Sequence, residues 1–143
     1  EVALIINPMD NIPSFESLGK RYDNAALLTK AGVDVMFSSE THNAQNVRYA
    51  AGNAVAYGMP YDKALAAMTS APAKVFGGAS NYGKLMPGFK AELVIWSGDP
   101  LEVTTYAENV FIDGKLTDSD TRAKRLERRY KDISNDQNTF HRK

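Results

Sequence analysis

Two kinds of hydrophobic pattern alternate in the first part of the chain. Residues 2–8 are apolar until Asn-Pro ends the run, which is typical of a short strand buried on both faces. After a polar, proline-broken loop, alanine and leucine recur at helical intervals over residues 22–32, and Gly32 suits a helix C-cap. Residues 33–39 form a second apolar run. The order strand, helix, strand predicts two parallel strands joined by a crossover.

Three helices are predicted after the second strand. Small residues recur on one side over residues 43–59, which favours a helix that packs closely on a sheet, with Asn43 as its N-cap. Pro60 precedes a second helical pattern, and Pro72 starts a short third helix that ends at two glycines.

Strand patterns replace helical patterns in the last part of the chain. Residues 91–98 and 107–116 have the character of strands, and Asp113-Gly114 within the second predicts a hairpin turn. A final amphipathic helix is expected over residues 119–133, with its N-cap at Ser119. The chain is therefore predicted to have a mixed α/β fold.

Composition narrows the class of protein. A chain of 143 residues with 43% hydrophobic residues can build the core of one soluble domain, and no apolar run reaches the roughly 18 residues of a membrane span. Because cysteine is absent, any metal must be held by histidine and carboxylate. We expect a soluble protein of the cytoplasm or periplasm, and the sequence does not choose between them.

The net charge of zero hides an asymmetry. Residues 122–143 hold eight Lys or Arg and three Asp or Glu, so a tail of net charge +5 follows a body of net charge −5. Such a tail could attract an acidic surface or a phosphate backbone. We favour a solvated helix, because acidic residues dilute the charge and no nucleic-acid motif accompanies it. Neither a nucleic acid nor a membrane is predicted as a partner.

The stretch MFSSETHNAQN, residues 36–46, places a crowd of polar side chains directly after the second predicted strand. Its carboxylate, imidazole and amide groups can bind protons, metals or substrates. Glu40 and His42 are its candidate site residues. Asp10 and Asn11 hold the corresponding position after the first predicted strand.

A long ordered pattern resembles the amidohydrolase superfamily, near its imidazolonepropionase-like members, over about residues 2–133. The stretch KALAAMTSAPAKVFGGASNYGKLMPGFKAELVIWSGDPL follows the family's order of Ala-Leu, Thr, Pro-Ala and Gly, then Pro-Gly before a strand, then Asp-Pro-Leu, and VFIDGKL follows its closing hairpin. Ala71 and Glu92 depart from the usual Asn and Asp, and we interpret the change at Glu92 as structural. The matching residues are Ala64, Leu65, Thr69, Pro72, Ala73, Gly77, Gly83, Pro87, Gly88, Ala91, Leu93, Val94, Asp99, Pro100 and Leu101.

The resemblance implies an α/β fold made of the final strands and helices of a (β/α)8 metal-dependent hydrolase barrel, plus C-terminal strands of a small β-sandwich. Residues 1–78 would contain strands seven and eight of the barrel, residues 79–117 the sandwich strands, and residues 118–143 the last helix and the basic tail. As a lone chain this fold is incomplete, because two parallel strands leave edges and faces uncovered.

The resemblance also implies a divalent metal, commonly zinc, that activates a water in the complete protein. The family's metal-binding and proton-accepting Asp after the eighth strand corresponds to Glu40, which is one methylene longer. Barrel active sites lie at the carboxyl ends of the strands, so Asp10, Asn11 and His42 would face the substrate or the groups around the metal. The other ligands, including a His-x-His pair, would precede Glu1, and these 143 residues alone could not assemble the site.

Two functions are compatible with this resemblance. The first is hydrolysis of a non-peptide or dipeptide-type C–N bond in a small-molecule substrate, by the complete protein. The second is a non-catalytic fragment or domain that associates into a homo-oligomer or with a complementary N-terminal segment. Metal content and the sequence before Glu1 separate the two.

Each candidate residue also has an ordinary structural explanation. Glu40 could be a carboxylate near the positive end of the dipole of the next helix. Asn43 could be the N-cap of that helix. His42 could cap the helix or hydrogen-bond a ligand without touching metal. Asp10 and Asn11 are common turn residues.

Overall fold

Two small sheets and a set of short helices make up the computed structural model, which describes residues 2–39, 42, 44–118 and 120–131. The first half contains β1 (Ala3–Ile6), a 3-10 helix (Pro8–Asn11), α1 (Asn24–Lys30) and β2 (Asp34–Phe37). The predicted cap Ser119, and Glu40, Thr41 and Asn43 of the candidate site, lie outside the described residues. The remaining elements are α2 (Asn46–Ala56), α3 (Tyr61–Met68), α4 (Ser70–Val75), β3 (Leu93–Trp96), β4 (Ala107–Ile112), β5 (Lys115–Leu116) and α5 (Arg122–Lys131).

The predicted parallel pairing of the first two strands is confirmed. β1 and β2 run side by side, with Ala3 opposite Asp34 and Ile6 opposite Phe37. The amide of Ser38 continues the ladder by donating to the carbonyl of Ile6 at 3.0 Å. Helix α1 forms the connection, as its spacing predicted, and Gly32 follows it with a φ of 80° that suits glycine.

Three predicted helix starts are wrong by a few residues. Helix α5, predicted from residue 119, begins at Arg122, and the Thr121 hydroxyl accepts the backbone N–H of Lys124 at 3.3 Å. Helix α2 begins at Asn46, after a turn at residues 44–45, and the residue at its cap position, Gln45, makes no side-chain cap bond. Helix α4 begins at Ser70 and not at Pro72. Proline is tolerated throughout a first helical turn, because the amides there need no intrahelical acceptor, so it marks the turn without fixing the first residue.

Strands β3, β4 and β5 form an antiparallel sheet whose last two strands are joined by the predicted hairpin. Asp113 and Gly114 both have positive φ, 50° and 75°, as the two central residues of a type I′ turn require. The carboxylate of Glu92 accepts the backbone N–H of Asp113 at 3.2 Å. This bond supports the structural interpretation of Glu92.

The core lies between the parallel strands and the helices, and most of its members are small. Ala51, Ala54, Ala64 and Ala67 are at most 1% exposed, and they belong to one buried cluster with Phe37. The other core residues are Ala25, Val35, Met59 and Leu101. Because alanine has no side chain beyond Cβ, the helices can approach the strands and one another closely.

Two glycines mark places where backbones approach closely. A Cβ on Gly52 of helix α2 would lie 2.7 Å from the carbonyl oxygen of Leu101. At Gly83, where φ is +83°, it would lie 2.7 Å from the Thr69 oxygen and 2.8 Å from the Cα of Ser70. Because glycine has no Cβ, the loops after α4 and β3 can approach the helices this closely.

The loop after β3 is also held by hydrogen bonds. Asp99 accepts the backbone N–H of Leu101 at 2.8 Å and the phenol of Tyr61 at 2.9 Å. Partial burial, and then the hydrogen bond to Asp99, raise the pKa of Tyr61 above its ordinary value. The Asp-Pro-Leu segment is therefore fastened to the start of helix α3.

Arg48 of helix α2 provides a second fastening. Its guanidinium donates to the carbonyls of Pro100, Glu102 and Thr105 at 3.0, 2.7 and 2.8 Å. It also donates to the Tyr49 hydroxyl at 2.7 Å, and its carbon lies 5.1 Å from the centre of the Trp96 ring. One side chain thus joins helix α2 to three carbonyl groups of the loop between β3 and β4.

Within the described part of the chain, no helix has both the length and the apolar character that a membrane span needs.

Candidate functional site

The two predicted site segments begin at the same edge of the parallel sheet. Residue Asn7 follows β1, and Ser38 follows β2, directly after the paired residues Ile6 and Phe37. Parallel strands place their carboxyl ends together, so the 3-10 helix Pro8–Asn11 and the start of the 38–42 segment are neighbours. Polar residues follow both strands, and Pro8 also follows β1, because the chain must turn away from the sheet here.

The segment after β1 is folded into a defined turn. The side-chain oxygen of Asn7 accepts the backbone N–H of Met9 at 3.2 Å, and the backbone carbonyl of Asn7 accepts the N–H of Asp10 at 3.0 Å. Pro8, at the first position of the helix, is buried. These contacts fix the direction in which the following side chains leave the sheet.

Asp10 and Asn11 have different surroundings at the end of this turn. The Asp10 side chain is exposed. Asn11 is half-buried, and its amide nitrogen Nδ2 is buried without a hydrogen-bond acceptor in the part of the chain that the structure describes. Leaving such a donor unpaired costs about 1–3 kcal/mol, so an acceptor supplied by another molecule or segment would satisfy it.

The segment after β2 is described only in part. Ser38 and Ser39 are half-buried, and His42 is exposed. Glu40, the residue with the most specific prediction, is outside the described residues, so its role stays a prediction. The structure therefore places Asp10, Asn11 and His42 on segments that leave one sheet edge, and it does not test how close their side chains come to Glu40.

A comparison with known protein families identifies the family of this chain. Residues 4–121 match the sequence model described as the amidohydrolase family. The chain belongs to the amidohydrolase family. This confirms the resemblance inferred from the ordered Thr, Pro-Ala, Gly and Asp-Pro-Leu pattern.

Individual relatives agree with the family assignment. A stretch of 72 residues, half of this chain, is 44% identical to amidohydrolase tasK of Hapsidospora irregularis and covers 7% of that protein. Among solved structures, an amidohydrolase from Thermotoga maritima MSB8 superposes over 82% of this chain with a TM-score of 0.72 and 27% identity. An uncharacterized protein superposes over 73% with a TM-score of 0.54 and 22% identity, which is a likeness of fold. The chain spans 31% and 30% of those two structures.

Amidohydrolases usually bind metal, and we tested whether the described donors fit one. Among residues 2–39, 42, 44–118 and 120–131, no three His, Asp or Glu side chains lie together as a metal-binding group. Asp10 and His42 offer oxygen and nitrogen donors of the right type, but both are exposed. The described residues thus do not form a metal centre by themselves.

The structure also shows two features that the sequence did not predict. The unpaired amide of Asn11 depends on what surrounds the turn, and no local pattern indicates it. The hydrogen bonds of Arg48 reach residues 52–57 positions further along the chain. An arginine on the mostly small, uncharged helix of residues 43–59 was the one available signal of that contact.

Proposed function

We propose that this chain is the C-terminal part of a metal-dependent amidohydrolase that hydrolyses a non-peptide or dipeptide-type C–N bond in a small molecule. The match to the amidohydrolase family over residues 4–121 carries the proposal. In this proposal β1 and β2 are strands seven and eight of a (β/α)8 barrel, within residues 1–78. Residues 79–117 are β-sandwich strands, and residues 118–143 form the last helix and basic tail.

The proposed site lies where the segments after β1 and β2 begin. A divalent metal, zinc in our proposal, would supply Lewis-acid chemistry to the site when it is bound in the complete protein. Glu40 would hold this metal or accept a proton at its carboxylate. Glu is one methylene longer than Asp, and a displacement of about 1 Å can change the rate of a geometry-limited step by a large factor.

Asp10, Asn11 and His42 have supporting roles in this proposal. Asn11 would donate its buried, unpaired Nδ2–H to a substrate oxygen, which orients the scissile bond. His42 and Asp10, both exposed on the same edge, would hydrogen-bond the substrate or the metal ligands. None of these three residues needs to bind the metal directly.

The unpaired amide gives a prediction that needs no substrate. We expect Asn11→Ala to leave the free energy of unfolding unchanged or to raise it by about 1 kcal/mol, because it removes a buried donor without an acceptor. Urea denaturation followed by circular dichroism measures this. Asn7→Ala is the matched control, and it should lower the same quantity by about 1 kcal/mol because Asn7 caps the turn. A loss at Asn11 as large as that at Asn7 would show that Asn11 is structural.

The proposed function has a direct test in metal content and gene sequence. We expect the isolated 143-residue chain, dialysed against zinc and then buffer, to retain much less than one zinc per chain, because its described donors form no cluster. We also expect the coding sequence upstream of Glu1 to contain a His-x-His pair. Stoichiometric zinc on the isolated chain would contradict the claim that further donors are required. An upstream coding sequence without the His-x-His pair would overturn the proposal that the complete protein is a metal-dependent hydrolase.

A second candidate function is association without catalysis, with a second copy or a complementary N-terminal segment. Large apolar side chains at and after β1 favour it: Val2 is 73% exposed, Ile5 55%, Phe15 89% and Leu18 78%. Within the described residues β1 pairs only with β2. A stable, metal-free oligomer from a gene without the upstream histidines would favour this function over the hydrolase.

A further inference from the structure

A second polar site lies at the opposite end of β2 from the candidate active site. We define the basic cleft as the cavity between the amino end of β2, the end of α1, helices α3 and α4, and the loop after α4, with a volume of about 370 Å³. Asp34 at its wall and Ser39 near the candidate site are five residues apart, or about 16 Å along an extended strand. The two sites are therefore spatially separate.

Charge distinguishes this cleft from an ordinary surface depression. Lys63, Lys74 and Lys84 line it, and Asp34 is its one carboxylate among the described lining residues. Lys74 and Asp34 form an ion pair at 2.6 Å, so the charge of Lys74 is balanced by that of Asp34. Within the described part of the chain, neither Lys63 nor Lys84 has an ion-pair partner, so the lining carries an excess of two positive charges.

Hydroxyl groups and an apolar floor complete the cleft. Ser70 and Tyr82 also line it, and their hydroxyls make no hydrogen bond among the described residues. The floor is made by Val35, Met59 and Ala67, all at most 5% exposed. Donors around a rim and apolar atoms beneath are the usual construction of a small-molecule pocket, and this volume lies within the usual range.

We propose that the basic cleft binds a small organic anion, with its carboxylate or phosphate between Lys63 and Lys84 and its apolar body on the floor of Val35, Met59 and Ala67. Ser70 and Tyr82 would donate to the anionic oxygens. Charge-assisted hydrogen bonds supply most of the affinity, and burial of the apolar body supplies selectivity over inorganic ions. This site goes beyond the proposed hydrolase, since it needs neither the metal nor the residues at the other end of β2.

Binding to the 143-residue chain tests the proposal by titration calorimetry. The probes are phenyl phosphate and phenylacetate, with inorganic phosphate as the head group alone and benzyl alcohol as the body alone. We expect one saturable site for an aromatic anion, at least about tenfold tighter than for inorganic phosphate or benzyl alcohol. The tighter of phenyl phosphate and phenylacetate identifies the head group, and either result supports the site. Equal affinity for phenyl phosphate and inorganic phosphate would overturn it.

Variants localise the binding. The double variant Lys63→Gln, Lys84→Gln should bind the aromatic anion about tenfold or more weakly than the parent chain, because each lysine contributes a charge-assisted hydrogen bond. Lys115→Gln, on β5 and outside the cleft lining, is the matched control and should bind like the parent chain. Ala71→Leu, which fills part of the cleft without changing charge, should also weaken binding. A double variant that binds like the parent, or equal loss in Lys115→Gln, would overturn the assignment.

Discussion

Gly83→Ala should lower the free energy of unfolding by about 3 kcal/mol, from backbone strain at positive φ together with overpacking. The new Cβ would lie 2.7 Å from the Thr69 oxygen, 2.8 Å from the Ser70 Cα and 2.9 Å from the Ala73 Cβ. Two of these atoms are backbone, so no rotation of a side chain can relieve the contact. Urea denaturation followed by circular dichroism measures the loss.

Gly88→Ala separates the two causes. Gly88 has nearly the same φ, +87°, but a Cβ there would meet nothing within 4 Å. It should therefore lose only the conformational part, about 1 kcal/mol. Equal losses in the two variants would show that the close approach at Gly83 carries no energetic weight.

Arg48→Met should have an effect of similar size, about 3 kcal/mol in the free energy of unfolding. The change keeps much of the aliphatic stem and removes the hydrogen bonds to the carbonyls of Pro100, Glu102 and Thr105. Thr105 is 7% exposed, so water cannot readily replace Arg48 as the donor to the Thr105 carbonyl. Urea denaturation measures the loss, and proteolysis between β3 and β4 should accelerate as the loop detaches.

Arg125→Met is the matched control for Arg48→Met. Arg125 is exposed on helix α5, and its side chain makes no hydrogen bond among the described residues. We expect a change of less than about 0.5 kcal/mol there. Arg48→Lys should fall between parent and Arg48→Met, since an ammonium cannot reproduce the fork of the guanidinium. If Arg48→Met unfolds like Arg125→Met, the bonds to the loop are dispensable.

The parts of the fold that local chemistry determines were predictable. Two apolar runs ended by polar residues indicated β1 and β2, and the helix between them required a parallel pairing. Asp113-Gly114 predicted the hairpin because few other pairs accept positive φ at both central positions. The start of α4 was not predictable to the residue, since Pro72 fits any position of a first turn.

The candidate site was predictable in place but not in detail. Asp10 and Asn11 follow β1 and His42 follows β2, so the parallel pairing alone brings their segments to one edge. The burial of the Asn11 amide and the reach of Arg48 arise from residues distant in sequence, which no periodicity encodes. Glu40 lies outside the described residues, and its prediction rests on the family pattern.

The alanine-rich core has a consequence for mutational scanning. Truncation to alanine finds a core by the side-chain atoms it deletes, yet Ala51, Ala54, Ala64 and Ala67 have nothing left to delete. Such a scan would therefore detect no loss of stability at these four core positions. Only enlargement would reveal them, because a methyl group pressed against a neighbouring helix leaves no room for one more carbon. The positions of this core are therefore found by the stability lost when a side chain is enlarged, and not by the stability lost when one is truncated.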